Sequence, residues 1–154
     1  MPEERAFSEV LVADIMTEGV EVVKKSMLIS QVAHLMLRER VSGYPVVNDD
    51  GSIAGIVTLT DLFILLDKIS DEVERDKAEG KKVQFHDKII EYKERAVSEI
   101  MSSDVFSISP NIPVSEVVSL AAKKNIHTFP VVEKGMLVGI IGRHDILNAA
   151  FLYA

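Results

Sequence analysis

The 154-residue sequence predicts a mixed α/β (α+β) fold in which two copies of a β-α-β-β-α unit follow one another. The first observation is a repeated corner, "GIVTLTDL" at 55–62 and "GIIGRHDI" at 139–146, where an apolar run meets a helix start. The second is that similar residues keep their order over about 50 positions of each half. The third is that short β-branched runs alternate with apolar residues at helical spacing.

The register of the repeat is kept from Ile15-Met16, which aligns with Ile100-Met101, to the end of each copy. A one-residue gap in the turn is the single interruption. Further aligned pairs are Val20 with Val105, Ser30 with Ser115, Pro45 with Pro130, Gly55 with Gly139, and Asp61 with Asp145. One three-stranded unit would bury too little apolar surface alone, so we expect the copies to pack as a pseudo-twofold pair.

The elements of the first copy are predicted in chain order. "VEVVKK" (20–25) is short and valine-rich, which indicates a strand. The next segment has apolar residues at helical spacing from position 28 to position 36, with Ser26 as a candidate N-cap. "YPVVN" and "IAGIVT" flank the turn signal "DDGS" and predict a hairpin. An apolar helix is then entered through Thr60-Asp61.

The second copy repeats this order. It predicts a strand over 105–108, a helix over 114–124, strands over 129–133 and 136–142 joined by the turn "EKG", and a helix over 144–152. The predicted organisation is therefore a first motif with the N-terminal segment (1–66), a linker (67–95) and a second motif (96–154).

The linker 67–95 is strongly charged, with 17 charged residues among 29. Its charges alternate in sign and it has no proline, which predicts a charged helical insertion with Gly80 as its breaker. Two roles are open for it: a solvated spacer, or a surface that contacts a partner or ligand.

Composition excludes several classes of function. The chain has no cysteine, which removes disulfides, thiolate metal sites and cysteine nucleophiles. Four scattered histidines show no metal-ligand spacing, so no metal site is expected. A net charge of −7 argues against nucleic acid as the main partner. No uncharged apolar run is long enough to span a bilayer, and the cysteine-free composition fits a cytoplasmic protein. No catalytic motif is found, so we expect no enzyme activity.

The motifs carry a family resemblance. "DIMT", "RVSGYPVVNDDGSIAGIVTLTD" and their second-copy counterparts "EIMSSDVFSISPNIPVSEV" and "NIHTFPVVEKGMLVGIIGRHD" resemble two CBS motifs. Together they resemble a CBS domain pair, or Bateman module, which covers nearly the whole chain except the insertion. The resemblance implies a regulatory module that binds an adenosine-containing ligand (AMP, ADP, ATP, S-adenosylmethionine or similar) in clefts between the motifs.

In the family, an aspartate at the start of the last helix binds the ribose hydroxyls and a nearby Ser or Thr assists. Carried over by position, the resemblance implies a first-motif site formed by Thr17, Val20, Val41, Ser42, Tyr44, Pro45, Thr58 and Asp61. A carboxylate can accept two hydrogen bonds from a cis-diol, which fits the role implied for Asp61.

The corresponding second-motif residues are Ser102, Phe106, Ile126, His127, Thr128, Phe129, Pro130, Arg143, His144 and Asp145. Gly142 replaces the hydroxyl residue that Thr58 supplies in the first copy, whereas His127, Arg143 and His144 offer donors for a phosphate. We therefore expect unequal sites, with the second one better suited to phosphate.

The candidate site residues also have purely structural interpretations. Asp61 and Asp145 could be helix N-caps only, and the histidines could be ordinary surface residues. The whole chain could also be a structural or partner-docking module without a ligand. CBS pairs usually associate, and the apolar stretches "DLFILLDKI" and "DILNAAFLYA" suit a homodimer that acts on a separate, unidentified protein partner.

Overall fold

The computed structural model describes residues 7–151. The helices are α1 (Val12–Ile15), α2 (Ile29–Glu39), α3 (Leu59–Ala78), α4 (Phe85–Lys93), α5 (Val114–Lys124) and α6 (Arg143–Phe151). The strands are β1 (Val23–Lys24), β2 (Gly43–Val47), β3 (Ile53–Thr58), β4 (Thr128–Glu133) and β5 (Met136–Gly142). Short 3-10 turns precede α1 and follow α4, at Phe7–Glu9 and Val97–Glu99. The predicted mixed fold and both hairpins are confirmed; position 152 of the last predicted helix lies outside the described residues.

Two compact units organise these elements. The β2–β3 unit comprises 22–49 and 54–103, and the β4–β5 unit comprises 7–21, 50–53 and 104–151 among the described residues. Each unit therefore combines the main hairpin of one repeat with the segment that opens the other repeat. The organisation by sequence, with a first motif over 1–66, a linker over 67–95 and a second motif over 96–154, stays a prediction.

The β2–β3 unit contains a sheet of order β1-β2-β3, in which β1 pairs with β2 in parallel. Every residue of β2 is buried, and α2 supplies the other half of the core through its apolar stripe. The core residues are Val23, Val32, Leu35, Met36, Tyr44, Val46, Val57 and Val97. This packing fixes the end of β3 and the start of α3 relative to α2.

The β4–β5 unit is built on one antiparallel hairpin that runs from Thr128 opposite Gly142 to Glu133 opposite Met136. Its core residues are Val12, Ile108, Val114, Val117, Phe129, Val131, Ile141 and Ile146. They come from α1, the Ile108 segment, α5, both strands and α6, so α1 contributes to the core of the second repeat.

Both predicted opening strands are shorter than expected. In place of 20–25 the strand is Val23–Lys24, and in place of 105–108 only Ile108 forms a bridge, to Val131. The Ile108 amide donates to the Pro130 carbonyl, and the Val132 amide donates to the Ile108 carbonyl. Continuing this parallel ladder towards Phe106 would need an N–H group from Pro130, which proline lacks. Pro45 has the same place beside β1.

The start of α2 also differs from the prediction. Leu28, not Ser26, is the N-cap residue, and its amide donates to the Gln31 side-chain oxygen at 3.0 Å. The reason is the bond from the Met27 amide to the Lys24 carbonyl, which turns the chain after Ser26 and delays the helix.

The charged segment consists of the C-terminal half of α3, a turn at Gly80 (φ +81°) and α4. The two helices pack against each other and against α2 through a small separate core. Its buried residues are Ile29, Leu65, Ile69, Val73 and Tyr92. Across residues 7–151, no helix has both the length and the apolar character that crossing a membrane requires.

Candidate functional site

The β3–α3 corner is organised by Asp61. The Thr58 amide donates to Asp61 Oδ2 at 2.7 Å, and the Thr58 hydroxyl donates to the same oxygen at 3.2 Å. The Leu59 amide donates to the Ser42 carbonyl, which holds the residue before β2 at the same corner. Both bonds from Thr58 use Oδ2, so Asp61 closes the first turn of α3 with one carboxylate oxygen and presents the other separately.

The β5–α6 corner has the same design with a different second partner. The Gly142 amide donates to Asp145 Oδ2 at 2.8 Å. The Thr17 hydroxyl donates to Asp145 Oδ1 at 2.9 Å. Among the described contacts of the first corner, Asp61 accepts hydrogen bonds from Thr58 only. The Arg143 amide donates to the His127 carbonyl at 3.2 Å, so the start of α6 is tied to the residue before β4.

Two N-terminal residues expected in the first site, Thr17 and Val20, belong to the β4–β5 unit. Thr17 was expected with Asp61, but its hydroxyl is bonded to Asp145. The Thr17 amide and carbonyl both bond to Ile140 of β5. The backbone can approach this closely because Gly139 carries no side chain: a Cβ there would lie 3.0 Å from the Thr17 carbonyl oxygen.

Ser102, in the opening segment of the second repeat, is bonded to the hairpin of the first repeat. It was expected in the second site, but its amide and carbonyl bond to Ile56 of β3 at 2.9 Å each. Gly55 permits this approach in the same way as Gly139 does in the other unit. The opening segment of each repeat therefore lies against the hairpin of the other repeat.

The remaining first-motif residues stay in the β2–β3 unit. Val41 is half-buried and Ser42 is exposed at the corner, whereas Pro45 is buried in β2. Tyr44 is 3% exposed, and its hydroxyl donates to the Glu39 carboxylate at 2.6 Å and lies 3.3 Å from the Leu35 carbonyl oxygen. Tyr44 is thus primarily a core residue of this unit.

The remaining second-motif residues stay in the β4–β5 unit. Phe129 is buried, and Phe106 meets it edge to face with ring centroids 6.3 Å apart. The side chains of His127, Arg143 and His144 are exposed, while Ile126 and Thr128 are half-buried and Pro130 is buried. Arg143 and His144 are the first residues of α6, and the His127 carbonyl is bonded to the Arg143 amide, so this corner carries three exposed nitrogen-bearing side chains.

Two residues near this corner were missed by the sequence analysis. Lys124 Nζ lies 5.3 Å from the Phe106 ring centroid, and the Asn125 side-chain oxygen lies 3.1 Å from His127 Nε2. Asn125 has φ +52°, a left-handed conformation that asparagine tolerates, so its place after a predicted helix was a usable signal. The contact of Lys124 with Phe106 is long-range and had no local signal.

Burial raises the pKa of the Asp61 carboxyl above its ordinary value, and this outweighs the opposite effect of the hydrogen bonds from Thr58. Protonation places an O–H donor on one carboxyl oxygen and removes the negative charge, so Asp61 is a strong diol acceptor only above this raised pKa. Within residues 7–151, no group of His, Asp or Glu side chains could hold a metal ion.

This pKa shift predicts a pH dependence of stability that the Asp61→Asn variant lacks. Because the folded-state pKa is raised, the folded state binds the proton more tightly than the unfolded state. We therefore expect the unfolding free energy of the wild type, relative to Asp61→Asn, to fall as pH rises from the ordinary pKa of aspartate through the raised one. Urea unfolding of both proteins across this range measures the difference, and a difference that stays flat or grows with pH contradicts the assignment.

The fold and the two corners define a tandem-repeat α+β protein with an aspartate at the start of the last helix of each repeat. The profile of the CBS domain matches residues 12–68 and 97–151, and the chain belongs to the CBS domain family. The resemblance predicted from the motifs is thereby confirmed.

Individual proteins agree with this assignment. The CBS domain-containing protein YhcV of Bacillus subtilis is 30% identical over 135 residues, which cover 88% of this chain and 81% of YhcV. The crystal structure of CBSX2 in complex with AMP is similar with a TM-score of 0.72 and 23% identity, covering 93% of this chain and 97% of that one. The CBS domain pair of MJ0100, in complex with 5'-methylthioadenosine and S-adenosyl-L-methionine, has a TM-score of 0.66 and 22% identity, covering 94% and 98%.

Proposed function

We propose that this chain is a non-catalytic regulatory module that binds an adenine nucleotide or adenosyl ligand at the Asp61 and Asp145 corners. The observation that carries the proposal is the shared geometry of the two corners. In each, one aspartate oxygen accepts a backbone amide at the strand-to-helix turn, at 2.7 Å and 2.8 Å. Capping alone needs only that oxygen, and the second oxygen is the group that a ribose diol would engage.

The two corners support different ligands. At the second corner, a nucleotide phosphate would meet the exposed side chains of His127, Arg143 and His144 beside the start of α6. Free amides and the positive dipole end make a helix start favourable for an anion. The first corner has Thr58 but no such cluster among its predicted residues. We therefore assign a phosphate-bearing ligand such as AMP to the second corner, and a less anionic one such as S-adenosylmethionine to the first.

Binding at the second corner requires a rearrangement of one hydrogen bond. Thr17 occupies Asp145 Oδ1, so a ribose diol that engages this oxygen would compete with the Thr17 hydroxyl or share the oxygen with it. Thr17 is attached to β5 through both of its backbone groups. Ligand binding would thus be sensed by the N-terminal segment, which offers a route from the ligand to a conformational signal.

We also propose that the chain forms a homodimer through its helices. Phe63 and Ile64 on α3 are 68% and 61% exposed, and Leu147 and Phe151 on α6 are 52% and 79% exposed. Leu147 and Phe151 are four residues apart and share one face of α6, whereas Phe63 and Ile64 are neighbours that widen the exposed apolar surface of α3. Exposed apolar surface of this kind is typical of helix–helix contacts between subunits. A cytoplasmic location and a separate protein partner stay predictions from the sequence.

Thermal unfolding with a ligand panel tests the function. The panel is AMP, ADP, ATP, S-adenosylmethionine, NAD and cyclic di-AMP, with GMP as the control for base selectivity. A ligand at about 100 times its Kd stabilises by about 2.7 kcal/mol, equivalent to a Tm increase of about 5–10 °C for a chain of this size. A selective increase with an adenine compound supports the proposal. No increase with any of them favours a ligand-free, partner-docking module instead.

A further inference from the structure

The helical hairpin formed by the C-terminal part of α3, the Gly80 turn and α4 lies outside the CBS profile, which ends at residue 68 and resumes at 97. Its residues belong to the β2–β3 unit. The helical hairpin is therefore an addition to the repeat, and nucleotide binding at the two aspartate corners does not account for the residues on its surface.

The hairpin is a fixed platform. Ile69 and Val73 of α3 are buried, and Tyr92 of α4 is 6% exposed. The Tyr92 hydroxyl donates to Glu72 at 2.8 Å, and Lys88 Nζ lies 3.3 Å from Asp76 Oδ2. These contacts join α3 to α4 along their length, so the turn between them is held at a defined position.

An open groove of about 630 Å³ lies at the turn end of this platform. Its apolar surface includes Val73, Val83 and Phe85, and Phe85 at the start of α4 is 39% exposed. A groove with an exposed aromatic ring beside a buried valine provides a place for one apolar side chain of a partner.

The polar rim of this groove is mainly basic. It carries Lys77, Lys81 and Lys82 against one carboxylate, Glu74. Lys81 already pairs with Glu79 at 3.2 Å. Across residues 7–151, Lys77 and Lys82 have no ion-pair partner, so two ammonium groups are available to an anion. In a chain of net charge −7, the rim of this groove therefore carries a local excess of positive charge.

We propose that this groove is the docking site for an acidic segment of a partner protein, which places carboxylates on Lys77 and Lys82 and one apolar side chain against Phe85. A peptide fits better than a uniformly anionic surface such as a membrane. Its carboxylates can be spaced to reach the lysines and avoid Glu74 and Glu79, whereas a continuous negative surface would meet both acids and the net charge of −7. The proposal does not depend on nucleotide binding.

Fluorescence anisotropy with a defined probe tests it. The probe is a fluorescein-labelled peptide of about 12 residues, mostly glutamate with one central phenylalanine. We expect the full chain to bind it, with a Kd that rises between about 50 and 200 mM salt because the lysine contacts are screened. The double variant K77E/K82E should bind at least about tenfold more weakly, and Phe85→Ala should lose the preference for phenylalanine over alanine in the peptide.

The matched control is K24E/K25E, which makes the same charge change at two exposed lysines of the same unit away from the hairpin. It should alter the Kd by less than about threefold, since Lys24 and Lys25 do not line the groove and affect the peptide only through long-range steering. If charge reversal disturbs folding by circular dichroism, K77Q/K82Q replaces it. Equal weakening by both double variants, no binding of the peptide, or binding of anionic vesicles in place of the peptide would each overturn the proposal.

Discussion

Replacing Asp145 by alanine is expected to weaken nucleotide binding at the β5–α6 corner by about 100-fold, because a charged acceptor for the ribose diol is removed. The fold should persist, since the loss of the helix cap and the loss of the Thr17 hydrogen bond cost about 1 kcal/mol each. Calorimetric titration with AMP measures the first effect, and thermal unfolding measures the second.

Asp87→Ala is the matched control for this variant. The Gln84 amide donates to Asp87 Oδ2 at 3.1 Å at the start of α4, the same capping contact without a predicted ligand. We expect Asp87→Ala to lose about 1 kcal/mol of stability, as for the cap alone, and to bind AMP as the wild type does. If Asp145→Ala unfolds the chain while Asp87→Ala does not, structural support is the main role of Asp145.

Asp61→Ala should affect a separate binding event, because Asp61 and Asp145 lie in different compact units. With S-adenosylmethionine as the probe, we expect this variant to lose the first-corner event and to retain AMP binding at the second. Loss of one and the same event in both single variants would contradict two independent sites.

Gly55→Ala is expected to destabilise the fold by about 3 kcal/mol, which is a Tm decrease of about 6–12 °C. A Cβ at this position would lie 2.5 Å from the Ser102 carbonyl oxygen and 2.9 Å from Met101 Sδ. The carbonyl is part of the backbone and is held by the Ile56 amide, so it cannot move aside without breaking that bond. The substitution therefore separates the Met101-Ser102 segment from β3.

Gly142→Ala provides the control for Gly55→Ala, as both glycines lie in the second strand of a hairpin. A Cβ on Gly142 would meet its nearest atoms at 3.8 Å, an ordinary contact distance. We expect this variant to unfold within about 1 kcal/mol of the wild type. Chemical denaturation of the two variants gives the comparison, and equal unfolding free energies would show that close approach at Gly55 is not limiting.

Much of the local structure was predictable because its causes are local. The hairpins follow from turn residues between two apolar runs, as in "DDGS". The aspartate corners follow from a carboxylate three residues after the strand end, where it can accept the amide of the residue that caps the helix. These interactions span few residues, so a sequence pattern contains them.

The exchange of the opening segments was not predictable from the repeat alone. The alignment of the two repeats pairs Thr17 with Ser102, but it does not predict which hairpin each residue contacts. The choice depends on long-range contacts such as the backbone bonds from Thr17 to Ile140. A glycine inside a strand is compatible with a close backbone approach, as at Gly55 and Gly139, but the sequence does not identify the segment that approaches it.

The shortened opening strands had a visible cause that the sequence analysis did not use. Pro45 and Pro130 stand in the middle of otherwise strand-like runs, and each lacks the amide that a further parallel bond would need. A proline inside one strand therefore limits how far a parallel neighbouring strand can pair with it, and so shortens that neighbouring strand.

Calorimetric titration of the unmodified chain with AMP, repeated on the Asp61→Ala/Asp145→Ala double variant, tests the central claim most directly. The account predicts saturable binding to the wild type and none to the double variant, with circular dichroism showing that the variant remains folded. Wild-type binding that persists unchanged in a folded double variant would contradict the assignment of the two aspartate corners as the ligand sites.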